Sequence, residues 1–107
     1  MSANYPTDFF GRTIVLNNAQ LAAGTYKRGQ LLGPHDGGVF SAYASTDEAV
    51  GAVCVNDITL AAQGNAAICR GEFEKEGMIA LNASLTTPIT INAEVIAQCW
   101  DAGIVLN

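Results

Sequence analysis

Glycine, proline or asparagine punctuates this chain roughly every ten residues, and β-branched and aromatic residues concentrate between the breaks. That spacing calls for short strands joined by turns. The plainest break is Gly33-Pro34-His35-Asp36-Gly37-Gly38, where glycines supply positive φ and proline fixes its own. Before it, Thr13-Ile14-Val15-Leu16 is strand-like and is ended by Asn17-Asn18, and Gly24 and Gly29 punctuate a second segment, Thr25 to Gly33. After it, Val39 to Tyr43 alternates large apolar with small residues, and Ala44 to Glu48 is a polar connector. Ala49 to Val55 has no side for water, which puts it at the centre of the domain. Asn56-Asp57 closes that strand, Gln63-Gly64-Asn65 forms the next turn, and Ala66 to Phe73 returns as another strand. Glu74-Lys75-Glu76-Gly77 reads as a charged break. Ala80 to Leu85 is open between a short helical turn and coil, and Thr86-Thr87-Pro88 ends it.

One clear helix is expected near the C-terminus. Asn92 is a good N-cap, and Glu94 places a negative charge in the first turn, where the helix dipole favours it. Ala93, Ile96, Ala97 and Trp100 fall at i, i+3, i+4 and i+7, one apolar face. Gly103 supplies the stop, and Ile104-Val105-Leu106 reads as a last short strand. The expected fold is thus mainly β with one C-terminal helix.

Residues 1–11 read as a flexible N-terminal arm and 12–107 as the folded domain, because Pro6 blocks regular pairing and polar residues dominate up to Asp8. Phe9 and Phe10 are the exception, with two readings: they fold back on the domain, or they dock on a partner. The N-terminal segment has neither a basic n-region nor an apolar h-region, so no secretory signal is expected, and cytosolic, reduced thiols are.

A chain of 107 residues fits one domain. Half of it is apolar and only 14% charged, against about 25% in a typical globular protein. Its net charge is −5. A disordered tail would be rich in charge, a nucleic-acid binder would carry a basic patch, and a membrane span needs about 20 apolar residues in a row; none fits. Some of so much uncharged surface is expected to face another protein.

The catalytic inventory is thin. The single histidine, His35, sits in a Gly/Pro turn. Cys54, Cys69 and Cys99 are far apart and lie in apolar stretches, which marks them as buried hydrophobes and argues against zinc. A thiol enzyme would require one of them to be activated. Glu72, Glu74 and Glu76 would share a face on an extended chain, most simply a solvated strand end. Gly33, Gly37 and Gly38 make no phosphate-binding loop. No catalytic residue, cofactor box or metal site is expected, leaving a binding or structural protein.

The block Leu21-Ala22-Ala23-Gly24-Thr25-Tyr26-Lys27-Arg28-Gly29-Gln30-Leu31-Leu32-Gly33 resembles the opening of the bacteriophage lambda head decoration protein family. Gly37-Gly38-Val39-Phe40, Ala49 to Asp57, Ala66 to Phe73, and Glu94 to Leu106 resemble that family's later strands and closing helix, in order and at compatible spacing. The resemblance covers residues 12–107 and departs most at Ala80 to Thr90. It implies a small barrel-like (β-tulip) domain and a capsid cement protein on the outer surface of the virion, made in the host bacterial cytoplasm. Homotrimers would sit on three-fold and quasi-three-fold axes of the expanded head and clamp the major capsid protein against DNA pressure, with no nucleic acid or membrane as partner. The arm would add a strand to the coat protein, which assigns capsid binding to Asn4, Tyr5, Pro6, Thr7, Asp8, Phe9, Phe10 and Arg12. The alternative is a β-rich virion-surface module binding a host or a carbohydrate, with Tyr5, Tyr26 and Tyr43 available to stack on sugars.

Overall fold

In the computed structural model, residues 9–33, 37–44 and 49–107 are described. The backbone of the molecule is a long antiparallel ribbon. Strand β1 (Phe10–Leu21) pairs with β7 (Gly64–Phe73) in the register Ile14↔Arg70, Leu16↔Ile68 and Ala19↔Ala66. On the far side of β7 lie β5 (Ala52–Cys54), itself paired with β3 (Leu31–Leu32), and the parallel strand β8 (Ile104–Leu106). On the far side of β1, the two-residue strand β4 (Val39–Phe40) runs parallel to Gln20-Leu21. A separate pair, β2 (Gly24–Tyr26) with β6 (Ile58–Leu60), completes the β structure. Helices α1 (Lys75–Ala83) and α2 (Ala93–Asp101) follow β7.

Side chains on successive strand residues point to opposite faces, and here that alternation builds two cores. Leu31, Val53, Cys69 and Phe73 enter one core, which the helices close with Met78, Val95 and Cys99. Leu32, Ala52, Cys54 and Ile68 enter the other, with Leu21, Tyr26 and Phe40. Ala52, Val53 and Cys54 are all buried, so β5 is central, as its unbroken apolar run requires.

The chain is mainly β, as expected, with two helices instead of one. The additional helix, α1, starts in the expected charged break. Met78 and Asn82, one turn apart, form its buried side. The Glu-Lys-Glu-Gly opening carries no apolar period, and Asn82 is not a residue that pattern reading counts as core. Glu72, Glu74 and Glu76 consequently do not share one extended face: Glu72 is in β7, Glu74 is the residue before the helix, and Glu76 is in its first turn.

Two other expectations change. Asn17-Asn18 does not end β1; it lies where the register shifts between Leu16 and Ala19, an irregularity that the strand runs through. On α2, the Asn92 cap and the Gly103 stop hold, with Val95 N–H donating to Asn92 Oδ1 at 3.0 Å and Gly103 at φ +81°. The buried face differs, however. Val95 and Cys99 point inward with Ile96 beside them, whereas Ala93, Ala97 and Trp100 are exposed. Among the described residues the named strands do not close into a barrel.

Candidate functional site

Of the residues assigned to capsid binding, Asn4, Tyr5, Pro6, Thr7 and Asp8 lie outside the described residues. Phe9, Phe10 and Arg12 are described, and the first two take the fold-back reading. Phe10 opens β1, two residues ahead of the expected start of the domain at Arg12, opposite Phe73. Its ring meets the Phe73 ring edge-on at 4.9 Å between centroids, and the Arg28 guanidinium carbon lies 3.7 Å above its centre. Phe9 stacks obliquely on Phe10 at 5.6 Å. Both rings are half-buried against the helix-covered core.

Two glycines make room for Phe9. A Cβ on Gly77 would come within 2.5 Å of Phe9 Cβ, and one on Gly29 would collide with Leu81 Cδ2 and the Phe9 ring. Gly29 also has φ +95°, a backbone state that side chains resist. The Phe9 carbonyl accepts from Glu74 N–H at 2.8 Å, and the Asn107 carbonyl accepts from Lys75 N–H at 2.8 Å. Two amides at the opening of α1, which lack partners within a helix, are thereby satisfied by the two ends of the described chain. Asn82, fully buried, holds the opposite wall: its Oδ1 accepts from Leu31 N–H at 3.0 Å and its Nδ2 donates to the Gly29 carbonyl at 3.1 Å. The root of the arm is therefore fixed. Arg12, two residues further along β1, is exposed.

A second feature was missed by residue-by-residue reading. Ile14, Val15 and Leu16 are 83%, 43% and 53% exposed, in the middle of the longest strand. Ile14 and Leu16 point to the same face and border a shallow depression of about 190 Å³ with Phe40 and Ile68. Arg70, opposite Ile14, is tied back by its Nε to the Gly51 carbonyl at 3.0 Å. From Gly11 to Ala19 no strand pairs with the outer edge of β1 among the described residues. The signal is the β-branched run itself, which reads only as a strand because periodicity does not reveal which strands lack a cover.

The thiols and two of the three tyrosines are held within the fold. All three thiols are buried. Burial pushes Cys69 and Cys99 up to about 11 and raises Cys54, which disfavours the nucleophilic thiolate. His35 lies outside the described residues. No group of three or more potential metal ligands occurs among the described residues, and no helix there is long and apolar enough to cross a membrane. Tyr26 and Tyr43 are buried, their hydroxyls bonded to the Ala22 carbonyl and to Gln98 Oε1, so neither is available to stack on a sugar. Trp100, expected inside, is 66% exposed. Compared with known protein families, curated proteins and solved structures, the chain matches none.

Proposed function

We propose that the protein is a capsid decoration, or cement, protein of a bacteriophage head, acting as a homotrimer on three-fold and quasi-three-fold sites of the expanded shell. The observation that carries this reading is where the resembling blocks lie in the fold. Leu21–Gly33, Gly37–Phe40, Ala49–Asp57, Ala66–Phe73 and Glu94–Leu106 contain β2, β3, β4, β5 and β8, and all but the first residues of β7 and α2. Of the strands of the larger sheet, β3, β4, β5 and β8 lie wholly within them, and β7 does so except for Gly64 and Asn65. Blocks that interlock in one sheet are a stronger likeness than the same motifs scattered over unrelated surfaces. The β-tulip form belongs to the same proposal. It is supported by the bridge Leu32↔Ala42, which brings the two ends of the strand order β3-β5-β7-β1-β4 near each other.

The arm root fits this role. Strand addition draws affinity from main-chain hydrogen bonds, and a fixed point of departure limits the freedom lost on docking. With Phe9 and Phe10 committed to the domain, contact with the coat protein falls to Asn4–Asp8, beside the exposed Arg12. Three such arms on one trimer gain by avidity, since the second and third bind intramolecularly.

The test is to mix the purified protein with expanded, undecorated heads and image the particles. Saturable density at three-fold sites supports the reading; its absence overturns it. Deleting residues 2–8 should leave the fold intact and abolish capture. Equal capture by the shortened protein would remove the arm from the mechanism, and specific glycan binding would favour the adhesin alternative.

A further inference from the structure

We infer that the open edge of β1, centred on Ile14 and Leu16, is the surface through which one copy of this chain binds the next. The inference rests on the decoration reading only for the number of copies, three.

The first argument is exposure without protection. Proteins that leave a strand edge open blunt it with charge, proline or a short strand. Here the edge runs from Gly11 to Ala19 with no strand beside it among the described residues, and it has neither charge nor proline from Thr13 onward. Its side chains add Ile14 and Leu16 beside the Phe40–Ile68 depression. A strand of this kind is covered in the working state of the protein.

Charge identifies the cover. Each copy carries −5, so two copies repel over most of their surface. The β1–β7 ribbon is different. From Thr13 to Tyr26, and again from Ile58 to Cys69, there is no Asp, Glu, Lys or Arg. These stretches form the paired ribbon beyond Ile14↔Arg70 together with β2 and β6. The carboxylates of Glu72, Glu74 and Glu76 gather at the ribbon's other end. Contacts between identical subunits are apolar and poor in charge at their centre. Gly77–Ala93 is uncharged too, but among the described residues the ribbon alone joins low charge to the open edge of β1, so two like-charged copies approach there at low electrostatic cost. A basic partner would have selected the opposite composition. In a three-fold ring the contact is heterologous, each edge meeting a different patch of its neighbour.

The test is sedimentation velocity on the full chain and on Ile14→Asp and Leu16→Asp. Both side chains are more than half exposed, so neither variant should disturb the fold, which circular dichroism verifies. Ile14→Thr, which keeps a β-branched residue, serves as the mild control. Wild type should sediment as a trimer. Either Asp variant should weaken association about a hundredfold or more, as expected when an unpaired carboxylate enters an apolar contact, and Ile14→Thr should fall between. Asp variants that assemble like wild type overturn the inference and leave the decoration reading untouched. A wild type that assembles through Ile14 but ignores expanded heads sinks the decoration reading and leaves the inference standing. A monomeric wild type whose capture by heads depends on Ile14 overturns the inference by assigning the edge to the coat protein.

Discussion

Asn82→Ala should be the most damaging single substitution in α1. Asn82 is fully buried and bridges the helix to the Gly29–Leu31 segment, with contacts of 3.0 Å to Leu31 N–H and 3.1 Å to the Gly29 carbonyl. Its third contact, to the Met78 carbonyl at 2.9 Å, is a hydrogen bond within its own helix. Alanine orphans the Leu31 N–H and the Gly29 carbonyl, both buried. Each orphaned group costs about 1–3 kcal/mol, so a loss of about 3–4 kcal/mol is expected. That is a large share of the roughly 5–15 kcal/mol holding a domain of this size, and corresponds to a fall in Tm of about 15 °C or more. Urea unfolding followed by circular dichroism would show a lower midpoint at unchanged m. Asn82→Asp adds a signed check. The new carboxylate can still accept from Leu31 but faces two carbonyls, and burial raises its folded pKa above its unfolded value of about 3.9. Its stability is then fully present below about pH 4 and is lost as pH rises through the folded pKa. A loss below about 1 kcal/mol for Asn82→Ala, or an Asn82→Asp variant no worse relative to wild type at pH 7 than at pH 4, would refute the bridging role.

Two further predictions follow from the arm root and the core. Gly77→Ala should destabilise the protein, although alanine in a helix is normally favoured over glycine by about 1 kcal/mol, because the added Cβ meets Phe9 at 2.5 Å; in a chain lacking residues 2–9 the sign should reverse, and urea midpoints of the four proteins decide it. Stability should hold up to about pH 9 and decline as pH rises towards 11, since Cys69 and Cys99 stay protonated in the fold to about 11 and ionise earlier when unfolded, near 9; native thiols that alkylate at the rate of a free thiol at pH 8 would contradict their burial.

Much of the β framework was legible because strand alternation and turn residues are local signals. Val53 and its neighbours read as a central strand, Asn92 as a cap and Gly103 as a stop, and each is used that way. What was not legible depended on contacts far along the chain. Trp100 was placed inside because it shares a helical face with Ile96, yet a helix of nine residues buries whichever stripe its neighbours can cover, and that stripe is Val95 and Cys99. Asn82 went unnoticed as core because an amide is buried only when particular backbone groups wait for it, here 51 and 53 residues away in sequence. The fold-back of Phe9 likewise depends on Gly29 and Gly77, which pattern reading treats as turn and break residues and not as a seat for an aromatic ring.

The exposed edge of β1 has a topological cause. Strand β4 enters the sheet beside Gln20-Leu21, and continuing it backwards in parallel would bring residues 38, 37 and earlier alongside Ala19, Asn18 and the rest of the edge. Instead Gly38 and Gly37 adopt φ +86° and +62°, a turn conformation that does not extend β4. With β4 limited to two residues, no strand among the described residues covers Ile14, Val15 and Leu16. Each large side chain left in water forgoes about 1.5–3 kcal/mol of burial, a sizeable concession for a domain of this size. A partner strand or surface on that edge recovers it only on assembly. The low charge of the chain and the brevity of β4 therefore bear on the same place: the uncharged composition permits close contact there, and among the described residues β4 ends before it can pair with that edge.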